Sequence, residues 1–216
     1  MSDGSLWVKE GPINAVWQQV ATGVSPGHFA VTNDMVAVLW GTDLYAKVGS
    51  LGATWGLILN PVSSFKVSAS DHVAALMTSG DLNVQWGPVG AGWVDVASAI
   101  SGYDITDDMV GVNWGGNLLI KQGGVGVTWG VIMNPVTDFA ISPGDHIAAN
   151  MTSGALNVLW GPIGSSWTGV ASGYNSYAIT DNRVGILQNG TLSVKEGSAG
   201  ALWTQVATGI TSFTLT

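Results

Sequence analysis

Six tryptophans, Trp17, Trp55, Trp93, Trp129, Trp167 and Trp203, each open a segment of one build: WQQVATG, WGLILNP, WVDVASA, WGVIMNP, WTGVASG and WTQVATG. They are separated by 38, 38, 36, 38 and 36 residues. A fixed period constrains topology more than any local propensity, because every copy must form the same supersecondary unit and bury its apolar face against the next. An aromatic follows each Trp by ten or twelve residues, at Phe29, Phe65, Tyr103, Phe139, Tyr177 and Phe213. A turn bearing an acid comes next, at Asp34, Asp71, Asp108 and Asp145, with Asp181-Asn182 at the fifth site. Copies at about 1–34, 35–71, 72–108, 109–145, 146–182 and 183–216 fill the chain as a single domain.

Each copy reads as short strands. Runs such as MVAVL, HVAAL and MVGVN are followed by LYAKVG or LNVQWG after a tight Gly-bearing turn, then by the Trp strand and an FAVT or YAIT strand. Runs of about five residues punctuated by Gly, Asn, Asp and Pro leave no room for a helix, and no apolar stripe of period 3.6 is present. The expected fold class is all-β: a six-bladed β-propeller of four-stranded antiparallel blades, the architecture that repeats radially and protects its sheet edges. The first copy lacks the small-residue strand, so 23 of 24 strands are recognisable. A seam blade shared by both termini, with the strand near Leu6–Glu10 joined by the C-terminal SFTLT, is expected to close the ring. Blades also pair: SDHVAALMTSGDLNVQWGP (70–88) returns 74 residues later as GDHIAANMTSGALNVLWGP (144–162), with 14 of 19 positions identical.

Charge narrows the partners. Six Lys and Arg against fourteen Asp and Glu give a net charge of −8, which repels a phosphate backbone, so nucleic acid is excluded as a partner. No apolar run approaches the ~18 residues needed to span a bilayer, which argues against membrane insertion. MSDGSLWVKEG has neither the basic start nor the apolar core of a signal peptide, pointing to a cytoplasmic protein or one exported by a route without such a peptide. The absence of Cys removes disulfides and thiolate metal sites.

No catalytic residue, metal site or cofactor is expected. One arginine, Arg183, cannot form an arginine cluster, and His28, His72 and His146 lack metal-ligand spacing. GGVGVTWG lacks the third Gly of a nucleotide loop, and DITDD lacks the central Gly and distal Glu of a calcium loop. Catalysis needs one asymmetric constellation, whereas everything here is repeated. The chain reads as a binder and not an enzyme.

The pattern G-x-L-x-V-K-E-G followed by W-x-x-V-A-T-G, closest in LWVKEG with WQQVATG and LSVKEG with WTQVATG, resembles the tectonin repeat. The resemblance implies a multivalent six-bladed lectin that recognises O-methylated glycans or lipopolysaccharide on microbial or invertebrate surfaces as a defence protein. Copies 2 to 5 depart from it, carrying Val48, Trp86, Gln122 and Trp160 where Glu10 and Glu196 stand. An intracellular protein-interaction scaffold without sugar binding is the alternative. Glycans on cell surfaces are the expected partners, with homo-oligomer formation left open.

The six strand-opening Trp and the six Phe/Tyr are expected to fill the wedge between adjacent sheets. The other five Trp are not six-fold repeated, so a ring does not require them, and a Trp face can lie on the CH groups of a sugar. The candidate carbohydrate-binding residues are Trp7, Trp40, Asn60, Trp86, Trp114, Asn134 and Trp160, with Lys47 and Lys121 as polar contacts.

Overall fold

The computed structural model describes residues 4–215. Its described residues contain 22 strands and no helix, as the Gly-punctuated five-residue runs require. The chain divides into two compact units, Met1–Ala99 and Ile100–Thr216.

The first unit holds a two-stranded sheet, β1 (Leu6–Val8) with β2 (Gln18–Ala21), and two four-stranded antiparallel sheets. One runs β3 (Phe29–Val31), β4 (Met35–Trp40), β5 (Asp43–Val48), β6 (Gly56–Leu59). The other runs β7 (Val62–Val67), β8 (Val73–Met77), β9 (Asp81–Gln85), β10 (Trp93–Ser98). The second unit holds three four-stranded sheets. Their strands are β11 (Gly102–Ile105), β12 (Met109–Trp114), β13 (Asn117–Gln122) and β14 (Gly130–Met133); β15 (Val136–Ile141), β16 (Ile147–Met151), β17 (Ala155–Leu159) and β18 (Trp167–Ser172); and β19 (Ser176–Ile179), β20 (Arg183–Gln188), β21 (Thr191–Glu196) and β22 (Thr204–Thr208). Every sheet is a meander in chain order, so each aromatic strand pairs with the small-residue strand that follows it.

Consecutive sheets bury their facing sides on one template. In the first unit Met35, Ala37, Leu44, Ala46, Val62, Val73 and Ala75 form a core with Phe65, Val67, Met77 and Trp93 packed on it. Shifting each number by 74 reproduces the core of the second unit: Met109, Gly111, Leu118, Ile120, Val136, Ile147 and Ala149, with Phe139, Ile141, Met151 and Trp167. Two copies of one shape are filled differently and still close. Where Ala37 faces Ala46, the second unit sets Gly111 against Ile120. A Cβ on Gly111 would lie 2.7 Å from Phe139, 2.8 Å from Ile141 and 2.9 Å from Ile120. Close-packed interiors tolerate such exchanges only when the summed volume is kept. Gly111 therefore makes room for an isoleucine that the first unit lacks.

Turn chemistry behaves as the Asp series suggests, with an added function. Asp71 and Asp145 take left-handed φ of 63° and 65°, which a short polar side chain tolerates. Their carboxylates then accept hydrogen bonds from Thr32 and Thr106 of the sheet before, the latter at 3.0 Å. Each turn thus ties two consecutive sheets. Burial is the main influence raising the Asp145 pKa above its ordinary value, opposed by the Thr106 hydrogen bond.

Two expectations need correction. The strand expected from SFTLT is absent: residues 211–215 carry no strand, Thr216 lies outside the described residues, and β1 pairs with β2 alone. The packing is nonetheless that of a blade's first strand. Phe213 and Leu215 approach Gly185 of β20 as Phe139 and Ile141 approach Gly111 of β12, with each pair of numbers again 74 apart. Nor are all six strand-opening Trp core residues, since Trp17 is 59% exposed. Trp93 and Trp203 donate their indole N–H to Ile58 and Val170 of the sheet before, whereas among the described residues no sheet precedes β1–β2 in the chain.

Candidate binding grooves

The repeated lysines hold loops. Lys47, Lys121 and Lys195 place their ammonium groups 5.0, 4.9 and 5.0 Å from the ring centres of Trp55, Trp129 and Trp203, and Lys9 lies 5.3 Å from that of Trp17. In every case the Trp is eight residues on, across the loop joining the third and fourth strands of a four-stranded sheet or, for Lys9, β1 and β2. Each ammonium also donates to carbonyls of that loop: Lys47 to Leu51 at 3.0 Å, Lys121 to Val125 at 2.9 Å and to Val127, Lys9 to Ile13 and Lys195 to Ala201. A cation held by an aromatic face and by carbonyls braces a loop that also carries a backbone turn, such as Ala53 N–H to the Ser50 carbonyl at 3.1 Å. Lys47 and Lys121, expected to face a ligand, direct their charge into their own sheets, and Lys121 and Lys195 are buried. The constant Lys-to-Trp spacing was legible in the sequence and is the signal that reasoning on strand-edge lysines missed.

The alternate sheets use other chemistry at the same place. Gln85 donates to Ala91 at 2.6 Å, and Leu159 is simply buried. There the next residue is Trp86 or Trp160, whose ring lies on His72 or His146 at 4.3 and 4.5 Å between centres. His146 Nδ1 also accepts from the Gly161 N–H at 3.1 Å. Trp160 further packs against a core that includes Ala148, Val158, Val184 and Ala199.

The other expected residues diverge between duplicates. Trp40 is held on edge by Tyr45 and Trp55, at 5.4 and 5.0 Å, and donates to the Thr22 carbonyl at 3.1 Å. Its duplicate Trp114 is 46% exposed, with Leu119 in the chain position of Tyr45. Trp7 is also exposed. Asn60 and Asn134 precede cis prolines and donate to Asp43 and Asn117 at 3.4 and 3.3 Å, so each ties the segment leaving its sheet to that sheet's hairpin between second and third strands.

Two grooves stand between consecutive sheets. One, of about 250 Å³, lies between β1–β2 and β3–β6 and is lined by Lys9, Glu10, Thr32, Asp34, Lys47 and Ser50 among others. Glu10 already accepts from the Leu51 N–H at 3.3 Å. The other, of about 420 Å³, lies between β15–β18 and β19–β22. Its polar wall is Asp138 of β15 and Asn150 of β16; its aromatic wall is Tyr174 and Tyr177, edge to face at 5.8 Å. Tyr177 donates to Asp138 at 3.0 Å and Tyr174 to Asn150 Oδ1 at 2.7 Å. Burial, aided by the Asp138 charge, pushes the Tyr174 pKa up to about 12 and Tyr177 higher still, so both phenols stay neutral donors. Sequence reasoning singled out none of these four as a binding residue, and placed Tyr177 only among the six repeated aromatics.

No protein-family model matches the chain, and no curated protein matches it. Solved structures do. PorZ, a surface component of the type-IX secretion system of Porphyromonas gingivalis, superimposes with a TM-score of 0.61 at 13% identity, over 83% of this chain and 28% of that one. Kluyveromyces lactis Hsv2 gives 0.59 at 11% identity, over 82% of this chain and 61% of that one. YCF48 bound to D1 peptide gives 0.59 at 13%, over 89% and 72%. The chain thus spans about a quarter of PorZ and three-fifths of Hsv2. These neighbours are β-propellers, and with the sheet meanders described above they give this chain the β-propeller fold. At such identities the likeness extends to the fold alone.

Proposed function

We propose that this chain is a multivalent carbohydrate-binding propeller of the tectonin kind, without catalytic activity, directed at O-methylated glycans or lipopolysaccharide on cell surfaces. The observation that carries the reading is Trp114. Its fold position is the one that Trp40 occupies as a packed and hydrogen-bonded ring, yet it leaves 46% of its surface in water. An indole that the sheet does not need offers the flat apolar partner that sugar CH groups use. The tectonin-like pattern in the sequence supports the same class.

Each buried methyl ether contributes ~0.8 kcal/mol, a few-fold in affinity per site. Several weak sites on one surface multiply this, with avidity gains of ~10²–10⁴. The test is a glycan array carrying matched O-methylated and unmethylated sugars and lipopolysaccharide. Preferential capture by the methylated spots or by lipopolysaccharide is expected. Equal binding to unmethylated sugars without lipopolysaccharide binding would overturn the specificity, and an empty array the whole reading.

A protein-binding role is the second reading, favoured by the exposed apolar run Ile13, Val16 and Trp17 on the β1–β2 loop. A defined partner captured through that loop, and lost on Ile13→Asp, would support it over the lectin.

A further inference from the structure

We infer that the Tyr174–Tyr177 groove is a distinct saccharide subsite, one per chain, selective for a neutral pyranoside over an acidic sugar. The ligand class rests on the carbohydrate reading above; the site rests on this groove alone.

Three observations converge. First, the groove departs from the duplication that governs the rest of the chain. At 74 residues before Asp138, Asn150 and Tyr174 stand Ser64, Leu76 and Ile100, while Tyr177 is matched by Tyr103. The neighbouring core returns its large side chains Met35, Leu44, Phe65 and Trp93 as Met109, Leu118, Phe139 and Trp167, whereas at this groove three of the four wall residues change. Secondly, the internal hydrogen bonds preorganise the walls and leave complementary groups over. The Tyr177 bond fixes one Asp138 oxygen and leaves the other as an acceptor, while the Tyr174 bond uses Asn150 Oδ1 and leaves its amide N–H groups as donors. A charged acceptor beside an amide donor matches two adjacent sugar hydroxyls, one donating and one accepting, and the Tyr174 ring supplies the apolar face beside them. Thirdly, there is room: Gly154 and Gly173 line the groove, and a Cβ added at Gly154 would meet nothing within 4 Å.

Charge then sets selectivity. Asp138 is the one carboxylate among the lining residues, and no Lys or Arg lines the groove. An anionic sugar or a lipid phosphate would approach that carboxylate with no cation to offset it, so a neutral ring is preferred.

The experiment is titration calorimetry of the whole chain with methyl α-mannoside, methyl α-glucoside, methyl α-galactoside, methyl α-fucoside and galacturonic acid, on wild type and four variants. Asp138→Asn keeps an acceptor for the Tyr177 hydroxyl and so preserves the fold, but should weaken the best neutral pyranoside about ten-fold, the order expected on removing a charged hydrogen-bond partner. Tyr174→Ala should abolish that binding. Tyr174→Phe, which keeps the ring, should retain part of it. Leu57→Ala, a change at an exposed position of β6 in the first unit, should leave it unchanged. Galacturonic acid should bind wild type more weakly than the neutral sugars, and Asp138→Asn should narrow the gap. Melting curves confirm that each variant folds. If wild type binds a neutral pyranoside and neither Asp138→Asn nor Tyr174→Ala alters it, this groove is not the site, although the lectin reading stands. If wild type binds none of the five while the array is occupied, the subsite is overturned; if the array is empty too, the reading on which it rests falls with it.

Discussion

The core between sheets β3–β6 and β7–β10 and the core between β11–β14 and β15–β18 are two fillings of one mould. Ala37 with Ala46 and Val67 becomes Gly111 with Ile120 and Ile141, while Met35, Leu44, Phe65 and Trp93 return as Met109, Leu118, Phe139 and Trp167. Repetition has preserved positions, register and the identity of the large rings, and has let volume move between neighbours. The surface followed a looser rule. Trp40 is locked where Trp114 is open, and the Asp138, Asn150 and Tyr174 wall has no counterpart 74 residues earlier. Packing constrains both copies alike, since a core position answers to all its neighbours at once. A groove residue answers to whatever fills the groove.

The lysine clamps offer the hardest way to break the likeness. Lys121 is buried and serves two loop carbonyls, whereas Lys47 serves one. Lys121→Met should cost about 2–3 kcal/mol by leaving both carbonyls short of a donor, and Lys47→Met about half as much. Urea denaturation measures both; equal losses would mean that the second carbonyl contributes nothing.

Gly111→Ala tests volume exchange directly. With a Cβ under 3.0 Å from three side chains, it should destabilise by about 1–3 kcal/mol. Adding Ile120→Ala reproduces the Ala37/Ala46 arrangement, so the double variant should be more stable than the sum of the single losses by about 1 kcal/mol. Simple additivity would show that the two cores do not share a mould at this point.

The smallest effect is electrostatic. Because burial raises the Asp145 pKa in the folded chain, its protonated form favours folding, a contribution complete below the unfolded-state value and lost as pH rises through the folded one. Asp145→Asn keeps the acceptor for Thr106 and tolerates the left-handed backbone. The variant's melting temperature should therefore gain on wild type as pH rises from the acid side of the carboxylate range to neutrality. Parallel curves would remove this residue from the pH dependence.

The fold was legible because its signals are periodic. Six Trp, six Phe/Tyr and the recurring acid in the turn fix strand count and order, and the structure agrees except at the SFTLT end, where Phe213 and Leu215 take up packing without strand hydrogen bonds. The lysine clamps were also written periodically, in the constant step of eight to Trp, but a charge on a strand reads as a surface group until its loop is seen to fold over it. The Tyr174 groove had no periodic signal to find. Tyr177 was recognised only as one of six aromatics, and Asp138, Asn150 and Tyr174 matter because they are exceptions brought together by two different sheets.

The central claim is that the fold uses some tryptophans and leaves others for a ligand, and one paired measurement tests it: thermal unfolding with saccharide capture on Trp160→Ala and Trp114→Ala. Trp160 packs into the core between β15–β18 and β19–β22, so its loss should remove about 3 kcal/mol and lower the melting temperature. Trp114→Ala should leave the melting temperature within a degree or two of wild type and reduce the sugar bound per chain. A stable Trp160→Ala, or a Trp114→Ala that melts early with capture undiminished, would contradict the account.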